Sequence, residues 1–263
     1  MWQELGRAMK RVGKATGSQA LIDRGRHWQY GHLPPEQLMK EHPSAFLRKY
    51  AVQSKIEHPE HLGQNASTHA TYQLRKGGDT TGQFLGLSHI TGPDGIRRQA
   101  ADHFHLVFDN QAVAHQGRFE SQQEGANFHA AFLPMRQATQ DNFDNDLENA
   151  RHHVANYKSG KVKDSALVLA NENTTLTTQL SGCTIAKRRD NMLHMRPHAD
   201  GEAMQGSLPH ASTFGRLDYG TGMDKEAFVM MKRKPDGHTR LYFQKHDLDT
   251  GEMTSGKMDF PQI

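Results

Sequence analysis

Hydrophobic positions recur at two different periods along this chain, and the change of period divides it. Near the start, Trp2, Leu5, Met9 and Val12 fall on one helical face while Arg7, Lys10, Arg11 and Lys14 fall elsewhere, which predicts a basic amphipathic helix. Such a helix can lie on a membrane surface, although docking onto its own protein is commoner. Gly31 to Pro35 interrupts the pattern, and Pro35 to about His58 predicts helices punctuated by Pro43 and Pro59. Gly77-Gly78-Asp79 and Gly92-Pro93-Asp94-Gly95 mark turns. From His103 the period becomes two, with His103, His105 and Val107 alternating against Phe104, Leu106 and Phe108. Ala112–Phe119, Asn127–Leu133 and Ala166–Leu169 read as further strands, and Asp141–Tyr157 as a helix closed by Gly160. Phe228–Arg233 and Thr239–Lys245 form a hairpin around Pro235-Asp236-Gly237-His238. The fold class expected is α+β: a mixed β-sandwich with flanking helices over residues 96–263, preceded by a mostly helical N-terminal region over 1–95.

Composition narrows the function classes. Of 263 residues 35% are hydrophobic and the mean hydropathy is −0.80, so a modest core carries long polar surface segments. A single cysteine provides no internal disulfide framework. No run approaches the ~20 apolar residues of a membrane span. No apolar signal segment opens the chain, which leaves export by a signal-independent route open. The net charge of +3 is well below the excess of a nucleic-acid binder. The basic clusters Arg97-Arg98, Lys187-Arg188-Arg189 and Lys232-Arg233-Lys234 lack interleaved aromatics and read as solvated strand ends. His58 and His61, His103 and His105, and His152 and His153 lack the cysteines or carboxylate spacing of a zinc motif, so no metal is expected. Thiol chemistry is what remains.

The one cysteine, Cys183, follows Leu180-Ser181-Gly182 and precedes two strands, Thr184–Arg189 and Met192–His198, joined at Asp190-Asn191. That turn pairs Arg189 with Met192 and sets Cys183 opposite His198. Directly opposed residues have Cβ atoms about 4.5–5.5 Å apart, within reach for a shared proton. His194 lies on the same strand face and is the alternative base. An imidazole that takes the thiol proton generates the thiolate nucleophile and can return the proton to a leaving amine. Gly182 permits a tight backbone approach, and backbone N–H groups around Cys183 would line an oxyanion site. Positive charge at Lys187-Arg188-Arg189 would attract an acidic protein surface.

Leu180-Ser181-Gly182-Cys183 resembles the signature of the bacterial toxin glutamine deamidases, the family of cytotoxic necrotizing factor and Burkholderia lethal factor. The spacing to His198 is similar to the necrotizing-factor branch. His194 in Met192-Leu193-His194-Met195 and Thr177, six residues before the cysteine, resemble the lethal-factor branch. Ser212-Thr213-Phe214-Gly215-Arg216 is similar to a segment of that branch carrying tyrosine where Phe214 stands, and Ala131-Phe132-Leu133-Pro134 is a weaker echo. The likeness covers roughly residues 100–263. It implies a secreted effector that reaches a target cell's cytosol and hydrolyses a glutamine carboxamide of a target protein. Cys183 would be nucleophile, His198 or His194 base, and Thr177 the group orienting the imidazole, with no cofactor. Partners in the family are Rho-type small GTPases or a translation-initiation helicase. A transglutaminase or cysteine peptidase using the same dyad, and a non-catalytic interaction module, are the other readings.

Overall fold

A computed structural model describes residues 2–56, 69–77, 88–109, 127–133, 166–168, 174–177, 179–188, 191–195, 201–206 and 208–261. The chain divides into two compact units, Met1–Phe46 and Leu47–Ile263.

The first unit is built on a helical hairpin of α1 (Trp2–Thr16) and α2 (Gln19–Tyr30), reversed at Gly17 with φ of 68°. Its seam is glycine on glycine. A Cβ added at Gly6 would stand 2.6 Å from the Gly25 carbonyl oxygen, and one at Gly25 would stand 2.6 Å from that of Gly6. The backbones therefore touch where side chains would hold them apart. α3 (Pro35–Glu41) starts on a proline at its first position, where the missing N–H costs nothing, and α4 (Pro43–Lys49) does the same.

The second unit is mixed α+β and mostly strands. Its larger sheet comprises β1 (Tyr50–Ile56), β2 (His69–Lys76), β3 (His89–Thr91), β4 (Arg97–Gln99), β5 (Asp102–Asp109), β6 (Asn127–Leu133), β8 (Thr174–Thr177), β12 (Lys225–Arg233), β13 (Thr239–Asp247) and β14 (Glu252–Phe260). Their order is β1-β5-β2-β6-β8-β12-β13-β14-β3-β4. A smaller sheet, ordered β11-β9-β10-β7, comprises β7 (Ala166–Val168), β9 (Thr184–Arg188), β10 (Asn191–Met195) and β11 (Thr213–Phe214). Two short helices, α5 (Gly201–Gly206) and α6 (Arg216–Tyr219), flank β11.

The larger sheet curls until its ends meet. β4 lies at one end of the order and β5 next to the other, yet only Ala100 and Ala101 separate them. Gln99 and Asp102 are three peptide steps apart, which caps their separation at about 11 Å. Across the gap, Ala51 of β1 packs against Ile90 of β3 and Met253 of β14. The open edge of β1 is satisfied by side chains. Gln244 accepts the Val52 N–H at 3.0 Å and Gln179 accepts that of Ser54 at 3.1 Å. The smaller sheet contributes Ile185, Met192 and Phe214 to a core shared with Leu133, Val229, Met231 and Leu241 of the larger one.

Several expectations shift. Residues 50–56, within the stretch read as helical, form β1, and the strands up to β3 join the larger sheet. The division therefore falls after Phe46, while Gly95, with φ of 71°, is the turn of the β3–β4 hairpin. His105 and Val107 are buried as well as Phe104 and Leu106, so both faces of this interior strand are covered. Ala112–Phe119 and Asp141–Tyr157 lie outside the described residues.

Candidate active site

The segment carrying Cys183 leaves β8 and enters β9, and it is fixed at three points. Leu180 bridges Ala227 of β12 with N–H to O distances of 2.9 and 2.8 Å in the two directions. Gly182 adopts φ of 129°, a backbone conformation closed to other residues without strain. The Tyr219 hydroxyl, from α6, accepts the Gly182 N–H at 2.7 Å and donates to the Cys183 carbonyl at 2.9 Å. Burial holds that phenol well above its ordinary pKa, so it keeps its proton and its donor role. The Cys183 side chain is 2% exposed and lies in the core shared by the two sheets.

His194 stands on β10 directly across from Ile185 of β9. Cys183 immediately precedes β9 and packs in the same core cluster as Ile185, the residue across from His194. Thr177, the last residue of β8, comes within 2.6 Å of His194 Nδ1 through Oγ1, which also donates to the Leu133 carbonyl at 2.8 Å. The single hydroxyl proton is committed to the carbonyl, which can only accept. The Thr177 oxygen therefore accepts Nδ1–H, and His194 is the tautomer with its lone pair on Nε2. That nitrogen is buried and has no hydrogen-bond partner among the described residues. Desolvation lowers the ring's pKa to about 3, so it is neutral at physiological pH.

The structure thus brings Thr177 and His194 together, and it buries Cys183 just before β9, the strand paired with that of His194. His198 lies outside the described residues. The pairing that would have faced it to Cys183 is not the one formed: Arg188 pairs with Asn191 and Thr184 with Met195, a shift of two residues that makes Arg189 and Asp190 the link. The expected oxyanion donors are reduced as well, since the N–H groups of Leu180 and Gly182 already have partners. Lys187 is not solvated; it is 3% exposed and its Nζ donates to the Pro261 carbonyl at 2.8 Å. Phe214 is buried, stacked on Phe243 at 4.9 Å between ring centres, which gives Ser212–Arg216 a packing role.

Behind the loop runs a second buried polar chain. Gln179 Nε2 meets His246 Nδ1 at 3.0 Å, and His246 Nε2 meets Gln244 Oε1 at 3.1 Å. Gln244 also donates to the carbonyls of Leu47 at 2.8 Å and Tyr50 at 2.9 Å. His246 is fully partnered and its pKa is also lowered to about 3 by burial. Both of its ring nitrogens have partners, whereas His194 Nε2 has none among the described residues. No group of three metal-ligating side chains is assembled among the described residues. Tyr219 and the Leu133 carbonyl carry no local sequence signal, since each reaches the site only through tertiary packing.

Comparison with protein-family models, curated proteins and solved structures returns no match for this chain.

Proposed function

We propose that this protein is a cysteine-dependent hydrolase that deamidates a glutamine of a target protein, with a second unit related in design to the toxin deamidases. One observation carries the reading: a buried, neutral imidazole, whose Nε2 has no partner among the described residues, stands on the strand paired with β9, and the chain's only thiol immediately precedes β9. A buried polar atom left without a partner is costly, and a catalytic role is one explanation for its presence in a folded protein. Cys183 Sγ gives its proton to His194 Nε2 and attacks the side-chain carboxamide carbon. The tetrahedral intermediate collapses as the imidazolium returns that proton to departing ammonia. Water then cleaves the thioester, releasing glutamate and restoring the thiol. Thr177 keeps the ring in the tautomer this cycle needs, and Tyr219 positions the backbone on either side of the nucleophile. Because the thiol is 2% exposed, the side chains covering it must part to admit a glutamine. The effector role, the target and its cytosolic location follow from the resemblance and belong to the same proposal.

A second reading takes Cys183 as a packing residue of a non-catalytic interaction protein, and the same burial favours it. Mass spectrometry of cell lysate treated with wild type or Cys183→Ser separates the two. A glutamine-to-glutamate conversion adds about one dalton through acyl-enzyme hydrolysis. Its appearance with wild type alone establishes the deamidase and identifies the target. Cleaved fragments would assign a peptidase, amine adducts a transglutaminase, and identical lysates the packing reading.

A further inference from the structure

We propose that the first unit docks on anionic phospholipid surfaces through the outer face of α1. This inference is independent of the reading of Cys183. The seam with α2 uses the glycines, Gly6 and Gly13, which are the buried residues of α1. Three of the four stripe residues are thereby left outside, Trp2 at 59% exposed, Leu5 at 42% and Val12 at 51%, while Met9 is half-buried. A helix that docked onto its own protein by its apolar stripe would bury those three. Leu5 and Val12 stand clear of the seam, and Trp2 borders it, edge to face with Trp28 of α2. The polar side carries Arg7, Arg11 and Lys14, all exposed, against a single acidic residue, Glu4.

That arrangement of exposed tryptophan and aliphatic side chains with a cationic flank fits a helix lying in the plane of a bilayer interface. Lipid explains both halves of the pattern. Trp2 suits the headgroup level, Leu5 and Val12 the acyl boundary, and the cations the negative surface potential. An acidic protein or a nucleic acid would use the charges and leave the aliphatic residues in water. At the Trp2 end, a cleft of about 660 Å³ is lined by Trp2, Trp28, Arg7, His27 and His32, with Glu4 as its one acidic group. The two indoles meet edge to face with ring centres 5.4 Å apart.

Both tryptophans of the chain lie in this hairpin, so intrinsic fluorescence reports on it directly. The full chain should show a blue shift and co-sediment with vesicles of phosphatidylcholine and phosphatidylserine at 7:3, but not with pure phosphatidylcholine. Leu5→Glu with Val12→Glu should weaken the partition about tenfold or more. Arg7→Glu with Arg11→Glu should do the same and remove the salt dependence. All four positions are on the exposed helix surface, and circular dichroism of each variant checks that the fold is kept. Wild type that ignores the anionic vesicles overturns the proposal. So does binding that survives Leu5→Glu with Val12→Glu, which would reassign the face to a polyanion.

Discussion

Thr177 Oγ1 stands 2.6 Å from His194 Nδ1 and 2.8 Å from the Leu133 carbonyl, and the two contacts together fix the tautomer of the ring. Thr177 and Leu133 are register partners on the parallel strands β8 and β6, so the larger sheet holds the hydroxyl while the smaller sheet brings the histidine to it. One side chain thus joins the two sheets at the site.

Thr177→Val keeps the shape and removes the hydroxyl, leaving a buried N–H and a buried carbonyl short of a partner. Equilibrium urea unfolding should show a loss of about 2 kcal/mol or more. Thr177→Ser retains the hydroxyl and should cost about 1 kcal/mol for the lost methyl. Equal losses in the two variants would mean that the hydrogen bonds contribute nothing.

Stability should fall as pH drops, starting near neutrality. His194 and His246 have folded pKa values lowered to about 3, whereas an unfolded histidine titrates near 6.5. Between those values the unfolded chain binds protons that the folded chain does not, so their contribution is complete above about pH 6.5 and is lost towards pH 3. Each ring adds up to about 1.4 kcal/mol per pH unit to the slope. Unfolding free energies at pH 6.5, 6.0, 5.5 and 5.0 should therefore be steeper for wild type than for His194→Gln by about one proton. Parallel slopes would place His194 in contact with solvent.

Tyr219→Phe keeps the ring in the core and deletes the atom joining Gly182 N–H to Cys183 C=O. The cost should be about 1–3 kcal/mol, concentrated in the loop. Cys183 is the only cysteine, so iodoacetamide labelling reports on this segment alone. Wild type should label slowly and Tyr219→Phe several-fold faster, with the Gly182 amide exchanging its hydrogen faster. Unchanged labelling would remove Tyr219 from the role of a clamp.

Gly215→Ala tests a close approach with no unusual backbone, since φ there is −162°. The added Cβ would meet Thr184 Oγ1 and come within 2.7 Å of Gln205 Oε1. Gln205 is buried and accepts the Leu217 N–H at 2.8 Å, so it has little room to retreat. Thermal unfolding should show a destabilisation of about 1–3 kcal/mol. A neutral result would mean that α5 yields.

Strands with strong local patterns were legible. The hairpin predicted around Pro235-Asp236-Gly237-His238 forms β12 and β13, with Arg233 paired to Thr239 and Gly237 at φ of 82°. Asn127–Leu133 is β6, and the first helix runs from Trp2 to Thr16. β1 was misread because Pro43 and the periodicity before it are helical, while the strand's partners lie far along the chain, from Asp102 onward. Turn chemistry misled the β9–β10 register. Asp190-Asn191 is a good type I′ pair, yet Asn191 is the first residue of β10, and Met192 and Ile185 both reach the shared core in the register formed. One shift of two residues replaced His198 by a pairing in which His194 faces Ile185.

Features written in neighbouring residues could be read without coordinates: the glycine before the one thiol, the hairpin that follows it, the alternation that makes strands, and the split between a helical start and a strand-rich remainder. These depend on local dihedral preference and on burial periodicity, which act over a few residues. The tertiary structure alone decided which histidine joins Thr177, which hydroxyl clamps the cysteine loop, and which face of α1 remains outside. Those outcomes depend on the packing of segments 17 and 36 residues apart, Thr177 with His194 and Cys183 with Tyr219, and on two glycines that let a second helix take the place an apolar stripe was expected to fill. Side-chain hydrogen bonds and close backbone contacts leave no period in a sequence, because their partners are set by the approach of the sheets and helices and not by spacing along the chain.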